Sequence, residues 1–359
     1  NSNLLQPSTW PEALQFITQY IQSLSNPSTQ IKAIAGDLCD VESMLALKDL
    51  FNSLGSNYTE SRQDHINLCP DFRTNYLFNS KITGIDQSDI CILIGCNPRM
   101  EAPLINARLR KAYLNGLDIY VIGNQIISNF ETNILEQSPI SSILKQSQKP
   151  LIIFGMSLFT DNNISKTCHY LLEQLLIKYP QFQNNSWNGI SFLQTRSARN
   201  AALDIGFIKG PDVPDHDQNI QLVYLLGADE FDLEKDIPSN AFIIYQGSHG
   251  DKGASIADVV LPTTSFVEKN GTYVNLDGRV QRTKKAITAP GHARVDWECI
   301  RALAEFLHIN LPYDNIEQLR QRLYQIAPHF EKLDSIQTPF LTKPLSLSSS
   351  SSSSELSKD

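Results

Sequence analysis

The sequence predicts an α/β protein built from two domains. Short apolar runs rich in β-branched residues, such as 242–245, alternate with segments whose apolar residues recur at helical spacing. Residues 89–123 contain the pattern of a strand, a helix and a second strand, which together form one compact βαβ unit. The chain has 359 residues, and this length accommodates two domains of ordinary size.

Composition and charge argue against several classes of protein. Apolar residues make up 41% of the chain and charged residues 19%, a balance typical of globular proteins that bury a core. The 38 acidic side chains outnumber the 30 basic ones, and there is no dense basic run, so we expect no nucleic-acid partner. Apolar stretches fall well short of the roughly 18 residues that cross a bilayer, so no direct membrane span is predicted. The sequence begins at Asn1 without a leader pattern, which predicts a mature chain or one made where it functions.

The cysteines do not have the spacing of an iron-sulfur site. Six are present, and no two of them are separated by two residues, although clusters typically use at least one such pair. Cys91 and Cys96 are separated by four residues, but Cys91 begins an apolar run and Cys96 lies in the turn after it. Buried free thiols are therefore favoured over metal ligands, and no metal or cluster is expected on this chain.

The first elements follow from local patterns. Thr9 and Glu12 have the spacing of a capping box, and the following apolar residues occupy one helical stripe: Leu14, Ile17, Ile21 and Leu24. Residues 31–35 predict a strand that leads into the turn at Gly36. The next helix should place five apolar side chains inward: Met44, Leu45, Leu47, Leu50 and Phe51.

The middle of the chain is less regular. Residues 58–79 show no sustained period, and the polar run at 60–64 predicts a surface loop. The next elements are strands at 89–95 and 118–123 with a helix at 104–114 between them. A further strand is predicted at 149–155 and a helix at 168–178. Residues 187–200 show no pattern that predicts a site.

The last part of the chain supplies a second sheet and a tail. Strands are predicted at 221–227, 241–245 and 257–261, the last of them ended by Pro262, which cannot donate a ladder hydrogen bond. Helices are predicted at 296–307 and 316–326. Seven consecutive serines at 348–354 bury no apolar surface that could offset their ordering entropy, so this tail is expected to be flexible.

Polar and glycine residues are concentrated in the loop that follows the last strand of this sheet. Gly271 and Gly278 permit close backbone approach or positive φ, and Asn275, Asp277 and Arg279 add an amide, a carboxylate and a guanidinium. Open α/β sheets bind ligands or partners at the carboxyl ends of their strands. This loop is therefore the first candidate for a functional site.

A spaced pattern over some sixty residues resembles a known family. It comprises YQG at 245–247, HGD at 249–251, ADVVLP at 257–262, EKNGTYVNLDGRVQ at 268–281, GHAR at 291–294 and DW at 296–297. This pattern is similar to the molybdopterin oxidoreductase superfamily, and most similar to its branch without molybdenum, the large iron-sulfur subunit of respiratory complex I. The GCNP turn at 95–98 resembles the same superfamily. Asp277 departs from it, because most relatives carry Glu before the Gly-Arg pair.

The resemblance implies two doubly wound, Rossmann-like domains without the cluster domain and without the C-terminal barrel of the molybdenum enzymes. We expect a larger α/β domain at 1–62 plus 149–310, an inserted smaller one at 63–148, and a helix with the serine-rich tail at 311–359. It also implies that Asn97 and the loop residues Gly271, Asn275, Asp277, Gly278 and Arg279 are candidates for a vestigial cofactor cleft. For the Asn97–Pro98 turn, a sharp strand-to-helix connection is favoured over a cofactor contact.

Three other interpretations have less support in the sequence: a molybdenum enzyme, a dinucleotide-binding site and histidine acid-base catalysis. An active molybdopterin-dependent oxidoreductase, such as a formate dehydrogenase, would need a metal ligand, but the surroundings of Cys69 lack the family's ligand-loop pattern, so a structural cysteine is favoured. The glycines at 247, 250 and 253 lack the G-x-G turn of a dinucleotide site. His249 and His292 have no nucleophile or paired carboxylate beside them in sequence.

The resemblance therefore predicts a structural, non-catalytic part of the NADH-oxidising peripheral arm of complex I. The partners implied are other peripheral-arm subunits, including a separate N-terminal fragment that carries the iron-sulfur clusters, so the subunit would be split. The location implied is the matrix side of the mitochondrial inner membrane. We further expect Arg279 to bind carboxylates and backbone carbonyls and so to lock the carboxyl edge of the sheet to the other domain, with a solvated loop or a ligand site as the alternatives.

Overall fold

The structure is a computed structural model, and it describes residues 5–68, 70–123, 133–134, 144–184, 186–209 and 219–336. Its strands are, in chain order, β1 (Ile31–Ala35), β2 (Thr59–Glu60), β3 (Ile90–Ile94), β4 (Asp118–Ile122), β5 (Asn133–Ile134), β6 (Pro150–Gly155), β7 (Ile190–Leu193), β8 (Leu222–Leu226), β9 (Phe242–Gly247), β10 (Val259–Pro262), β11 (Thr272–Val274) and β12 (Val280–Arg282).

The α-helices are labelled in the same way: α1 (Trp10–Ser23), α2 (Pro27–Gln30), α3 (Val41–Ser53), α4 (Pro98–Glu101), α5 (Pro103–Leu114), α6 (Asn162–Lys178), α7 (Arg199–Asp204), α8 (Leu233–Asp236), α9 (Lys252–Ile256), α10 (Asp296–Phe306) and α11 (Ile316–Ile326). Among the described residues, no helix has the length and apolar character needed to cross a membrane.

The chain divides into two compact units. The larger comprises Asn1–Leu77 and Gln194–Gln337, and the smaller comprises, as far as it is described, Phe78–Leu193.

The larger unit is organised by a parallel five-stranded sheet with the order β10-β9-β8-β1-β2. The chain starts in the middle at β1, runs outward to β2, and returns to β8 on the opposite side of β1. This reversal leaves a switch point between β1 and β8, where Ala35 pairs with Leu226 at the carboxyl end of both strands. In sheets of this topology, ligands bind at such points.

Both faces of this sheet are covered. Ala33 and Ala35 of β1 belong to a core with residues of α1, α3, α10 and α11, whereas Ile34 belongs to a second core with Tyr58 and Phe231. Successive side chains of a strand point to opposite faces, so a strand buried on both sides is largely apolar. The larger unit therefore has the doubly wound α/β fold that the sequence predicted.

The smaller unit contains its own parallel sheet, with the order β5-β4-β3-β6-β7. Here the chain starts at β3, continues to β4 and β5, and then returns to β6 and β7 on the other side of β3. The registers of β3 with β4 and with β6 extend along all five residues of β3. This is again the doubly wound arrangement, with its switch point between β3 and β6.

The sheet pairing corrects the domain boundaries expected from the sequence. Residues 149–193 were expected in the larger domain, but β6 pairs with β3 and β7 pairs with β6, so these residues belong to the smaller unit. The helix at 316–326, expected in a separate C-terminal segment, packs its buried Leu319 and Leu323 into the core of the larger unit. The serine run at 348–354 lies outside the described residues.

Most predicted elements are confirmed to within one or two residues. The Thr9–Glu12 capping box forms, and the four residues of its apolar stripe are buried. The five inward residues predicted for α3 are buried as well. Five of the described strands were not predicted, β2, β5, β7, β11 and β12, because each has only two to four residues and shows too short a pattern to identify.

Gly36 is a position where only hydrogen fits. A Cβ atom added there would lie 1.7 Å from the carbonyl oxygen of Gly227, so β1 and β8 approach each other at the switch point more closely than any side chain allows. A Cβ added at Gly250 would meet no atom within 4 Å.

We therefore predict that Gly36→Ala lowers the free energy of unfolding by about 1–3 kcal/mol, because backbone atoms must move apart to admit the methyl group. Gly250→Ala is the matched control and should leave stability within about 0.5 kcal/mol of the unmodified chain. Denaturant titration monitored by circular dichroism measures both variants. Equal stability of the two would contradict the close approach.

Candidate functional site

The carboxyl edge of the larger sheet carries a buried ionic cluster centred on Lys269. The ammonium of Lys269 lies 2.6 Å from a carboxylate oxygen of Asp40 and also contacts Asp296, and all three side chains are buried. Asp40 is the N-cap of α3, and Asp296 is the first residue of α10. One lysine from the loop after β10 therefore connects the beginnings of two helices.

Asp40 and Lys269 each depend on the other for their charge. Burial alone would raise the pKa of the Asp40 carboxyl, but the charge of Lys269 and hydrogen bonds from Lys269 and Ser43 lower it below its usual value. Burial alone would lower the pKa of Lys269, but the charges of Asp40 and Asp296 raise it well above its usual value. The cluster is therefore a charged network within the core.

A second buried contact lies beside the first. The carboxylate of Glu42, in the first turn of α3, accepts hydrogen bonds from the backbone N–H and the hydroxyl of Thr272 at 2.8 and 2.6 Å. It also accepts one from Nε of Arg320 on α11 at 2.9 Å. Burial, followed by the charge of Asp40, raises the pKa of Glu42. The Lys-Asn-Gly-Thr segment is thus held against α3 by two adjacent acidic residues.

Gly271 permits this close approach. A Cβ atom at this position would lie 2.9 Å from Cβ of Asp40. The sequence predicted either close approach or positive φ for this glycine, and the structure shows close approach.

The predicted loop residues after it form the turn of the β11–β12 hairpin. The side-chain oxygen of Asn275 accepts hydrogen bonds from the backbone N–H groups of Asp277 and Arg279 at 3.0 and 2.9 Å. Gly278 has φ +79°, and its carbonyl accepts a hydrogen bond from Arg73 at 3.3 Å. Asp277 is buried. The Asn275 side chain and the Gly278 carbonyl therefore have partners within the larger unit.

Arg279 does not perform the role expected of it. Within the described residues its guanidinium makes no hydrogen bond or ion pair, and only its backbone participates in the turn. The long-range contacts that the sequence predicted for Arg279 are made instead by Lys269 and Thr272. These two residues entered the prediction only as part of the family motif. Their longer-range partners, Asp40 and Glu42, lie some 230 residues away in sequence.

Asn97 lies in the smaller unit, at the carboxyl end of β3. It is the N-cap of α4, and its backbone N–H donates to the Glu101 carboxylate at 2.6 Å. Its side-chain oxygen is buried and accepts no hydrogen bond from the described residues. The turn is a sharp strand-to-helix connection, as favoured by the sequence.

A further cluster surrounds Asp204 in the larger unit. Its fully buried carboxylate accepts hydrogen bonds from Arg73 at 2.7 and 2.9 Å, from the hydroxyl of Tyr76 at 2.7 Å, and interacts with His329 at 2.9 Å. Burial alone would raise the pKa of Asp204, but hydrogen bonding to His329 and the charge of Arg73 lower it. Asp204 thus fastens the segment at 73–76, for which the sequence predicted no regular element, to the core.

The switch point itself is lined by Asp37, which follows β1. Its carboxylate forms an ion pair with Arg196, and Arg199 pairs with Asp64 at 2.8 Å. Arg199 is 1% exposed. Burial, partly opposed by the charge of Arg196, raises the pKa of Asp37 to about 6. Residues 187–200, which suggested no site in the sequence, therefore supply two cations of this edge, the buried Arg199 and the partly exposed Arg196.

The described cysteines and histidines do not offer metal ligands. Cys39 is buried, donates to the carbonyl of Leu226 at 3.0 Å, and has its pKa raised by burial, whereas metal binding needs the thiolate. Cys91 and Cys96 are buried free thiols. His249 and His292 are exposed, and no carboxylate of the described chain pairs with either. Cys69 lies outside the described residues.

The fold's customary cofactor can be tested against these donors. Across the part of the chain that the structure describes, no three His, Cys, Asp or Glu side chains are grouped as a metal site would require. Asp40, Glu42 and Asp296 at the sheet edge are each bonded to a cation or donor of this chain. These residues do not fit the role of ligands to a metal-pterin group, because their oxygens are already engaged.

Some of these residues could have been identified from the sequence as helix starts. Asp40 and Asp296 each stand at the start of an amphipathic helix, where a carboxylate is favourable, yet a helix cap is normally exposed. Their burial depends on the loop containing Lys269, and local patterns do not show that contact. Arg196 and Arg199 carried no local signal.

Replacing Lys269 tests the buried cluster. Lys269→Met keeps the length of the side chain but leaves Asp40 and Asp296 as uncompensated buried carboxylates, and breaking a buried pair in this way costs about 3–5 kcal/mol. We predict a fall of that size in the free energy of unfolding, measured by denaturant titration. Lys166→Met, at an exposed position on α6, is the control and should change stability by less than about 0.5 kcal/mol. Similar values for the two variants would show that the cluster contributes little.

A second prediction concerns pH. The folded-state pKa of Asp37 is raised from 3.8 to about 6, so its contribution to stability is present below the lower value and is lost as pH rises through the higher one. The free energy of unfolding of the unmodified chain, minus that of Asp37→Asn, should therefore fall between about pH 4 and pH 6. Urea titrations at intervals of half a pH unit measure this difference. A difference that rises with pH would contradict the assignment.

Comparison with known proteins places this geometry in a family. The model of the molybdopterin oxidoreductase family matches residues 1–306. The chain is 42% identical over 350 residues to the 78 kDa subunit of mitochondrial NADH-ubiquinone oxidoreductase from Candida albicans, covering 94% of this chain and 48% of that protein. It is 41% identical over 359 residues to the 75 kDa subunit from Reclinomonas americana, covering 92% of this chain and 51% of that protein.

A third relative is named NADH dehydrogenase [ubiquinone] iron-sulfur protein 1, mitochondrial, from Solanum tuberosum; it is 35% identical, and the match covers 92% of this chain and 45% of that protein. The chain thus spans about half the length of the curated relatives it matches.

Among solved structures, the formyltransferase/hydrolase complex of Methylorubrum extorquens aligns with a TM-score of 0.58 at 11% identity, covering 84% of this chain and 97% of the matched chain. Identity this low shows the shared fold alone. The matched sequence family, the two parallel doubly wound sheets and the identity to the large-subunit relatives agree with one another: the chain belongs to the molybdopterin oxidoreductase family.

Proposed function

We propose that this chain is a structural, non-catalytic part of the NADH-oxidising peripheral arm of NADH-ubiquinone oxidoreductase. The observation that carries the proposal is the inward use of the motif at 268–272. Lys269 and Thr272 bind the buried acidic residues of α3 and α10, so the motif stabilises the core and its polar groups are engaged within the chain. Sequence identity to the large subunit over more than nine-tenths of the chain supports the same assignment.

On this proposal the chain binds no cofactor of its own. Asn97 is the N-cap of α4. The other vestigial-cleft candidates have structural roles in the loop after β10 and in the β11–β12 hairpin: Gly271, Asn275, Asp277 and Gly278. Electron transfer would then take place on iron-sulfur clusters held by the N-terminal part of the subunit, in keeping with the name of the Solanum tuberosum relative, an iron-sulfur protein. A separate N-terminal fragment that carries those clusters stays a prediction.

The partners on this proposal are other subunits of the peripheral arm. The location would be the matrix side of the mitochondrial inner membrane, which is consistent with the mitochondrial names of the Candida and Solanum relatives. Neither nucleic acid nor lipid is a proposed partner, since the chain carries a net charge of −8 and we expect its attachment through protein contacts.

The alternative, the core of an active molybdopterin-dependent oxidoreductase, fits the family but not the site. It requires ligand donors that are free to bind a metal, whereas the carboxylates at the sheet edge are already paired within the chain. The high identity to large-subunit relatives also favours the structural role.

Purification of the native complex tests the proposal. We predict that the chain co-purifies with NADH-ubiquinone oxidoreductase activity and iron, without stoichiometric molybdenum or tungsten, and that mass spectrometry finds a cysteine-rich N-terminal partner polypeptide. Metal analysis of the purified chain is the direct measurement. Stoichiometric molybdenum, or pterin fluorescence after denaturation, would favour the enzymatic alternative, and migration of the chain alone would contradict the role in the complex.

A further inference from the structure

A groove of about 700 Å³ runs along the outer edge of the β11–β12 hairpin in the larger unit. It is lined by residues 281–285 on one side and by Leu333 and Asp334 on the other. The hairpin is a two-stranded sheet, so the outer edge of β12 pairs with no further strand of the described chain. Exposed strand edges of this kind accept an additional strand from another segment.

The register shows which backbone groups face the groove. Arg282 lies opposite Thr272, and the N–H of Thr272 donates to Glu42, away from β12. Thr272 and Arg282 therefore form a non-hydrogen-bonded pair of the antiparallel ladder. The backbone N–H and carbonyl of Arg282 consequently also point away from β11. Further along the same edge, the carbonyl of Val280 accepts from the N–H of Asp334 at 2.8 Å. The outer edge of β12 can thus form strand-type hydrogen bonds, and one such bond is already made.

The groove is cationic although the chain as a whole is acidic. Arg282, Lys284 and Lys285 line it and form no ion pair within the described residues, and Asp334 is the single acidic residue on its walls. Arg320 also lines it, but its guanidinium is already paired with Glu42 and Glu317. Three cations without an ion pair in the described chain and one carboxylate give the walls of the groove a local charge of +2, in a chain whose net charge is −8.

The positive charges that line the groove are accessible to a ligand. Lys284 and Lys285 are exposed, whereas Arg282 is half-buried, contacts the hydroxyl of Tyr324, and has a buried Nε without a partner in the described chain. Leu333 is 38% exposed and adds an apolar patch to the opposite wall. A ligand that fits this surface needs carboxylates, an extended backbone and some apolar side chains.

We propose that the outer edge of β12 is a docking site for an extended acidic segment of a partner protein. The segment would add to the hairpin as a third strand beside Arg282, with its carboxylates on Arg282, Lys284 and Lys285 and an apolar side chain on Leu333. Backbone hydrogen bonds supply affinity in this mode, and the flanking cations select the sequence. The inference goes beyond the scaffold role and does not depend on it, because binding is measured on the isolated chain.

The test uses the full 359-residue chain and a fluorescent ten-residue peptide of alternating glutamate and valine. We expect saturable binding by fluorescence anisotropy that weakens as salt rises from about 50 to 200 mM, as expected for exposed charges. Lys284→Glu combined with Lys285→Glu should weaken binding at least tenfold. The matched control, Lys145→Glu combined with Lys166→Glu, changes the net charge equally at exposed positions of the smaller unit and should leave binding within twofold.

A second peptide tests the strand addition separately from charge. N-methylation of alternate backbone nitrogens on one edge of the same peptide removes its donors without changing its carboxylates, and should weaken binding at least tenfold relative to methylation of the other edge. Equal effects of the two methylation patterns would overturn the proposed strand geometry.

Other occupants give different results, and each of them overturns the proposal. Displacement of the peptide by inorganic phosphate at equal concentration would indicate a small-anion site. Absence of peptide binding, together with self-association that Lys284→Glu with Lys285→Glu abolishes, would assign the edge to a second copy of the chain. Equal loss of affinity in the Lys145/Lys166 control would show only nonspecific charge attraction.

Discussion

The larger unit depends on one buried ammonium group. Lys269 lies between Asp40 and Asp296, and without it two carboxylates would be buried without a counter-charge, so the loop after β10 and the starts of α3 and α10 must be placed together. Glu42 extends this arrangement to β11 and α11 through Thr272 and Arg320. The start of α3 is therefore the point at which five elements of this unit are joined by charged hydrogen bonds.

This arrangement gives the family motif a physical role that needs no cofactor. In the segment at 268–272 the lysine and threonine contact buried acidic residues, and the glycine between them permits the approach to Asp40. A sequence motif of this kind can persist because its loss destabilises the core. Arg279, in the following turn, has no ionic partner in the described chain, and it contributes to the turn through its backbone.

The two parallel sheets show how a single topology places polar groups. In each sheet the chain leaves the first strand on one side and returns on the other, so the loops diverge at the switch point. In the larger sheet this position holds Asp37 with Arg196 and lies beside the close contact of Gly36 with Gly227. At the position where such sheets commonly bind ligands, this sheet has the close approach of Gly36 to Gly227 and the ion pair of Asp37 with Arg196.

The sequence by itself determined the elements: the capped first helix, the apolar strands such as β3 and β8, the α/β class and the family motif all follow from local periodicity and short-range spacing. Tertiary structure decided which strands share a sheet, so residues 149–193 joined the smaller unit, and it decided which polar residues meet. Asp40 and Lys269 are distant in sequence, and nothing local distinguishes a buried N-cap from an exposed one. The physical reason is that periodicity reports which face of an element is buried, whereas a long-range ion pair is selected only when the packed chain removes water from both partners.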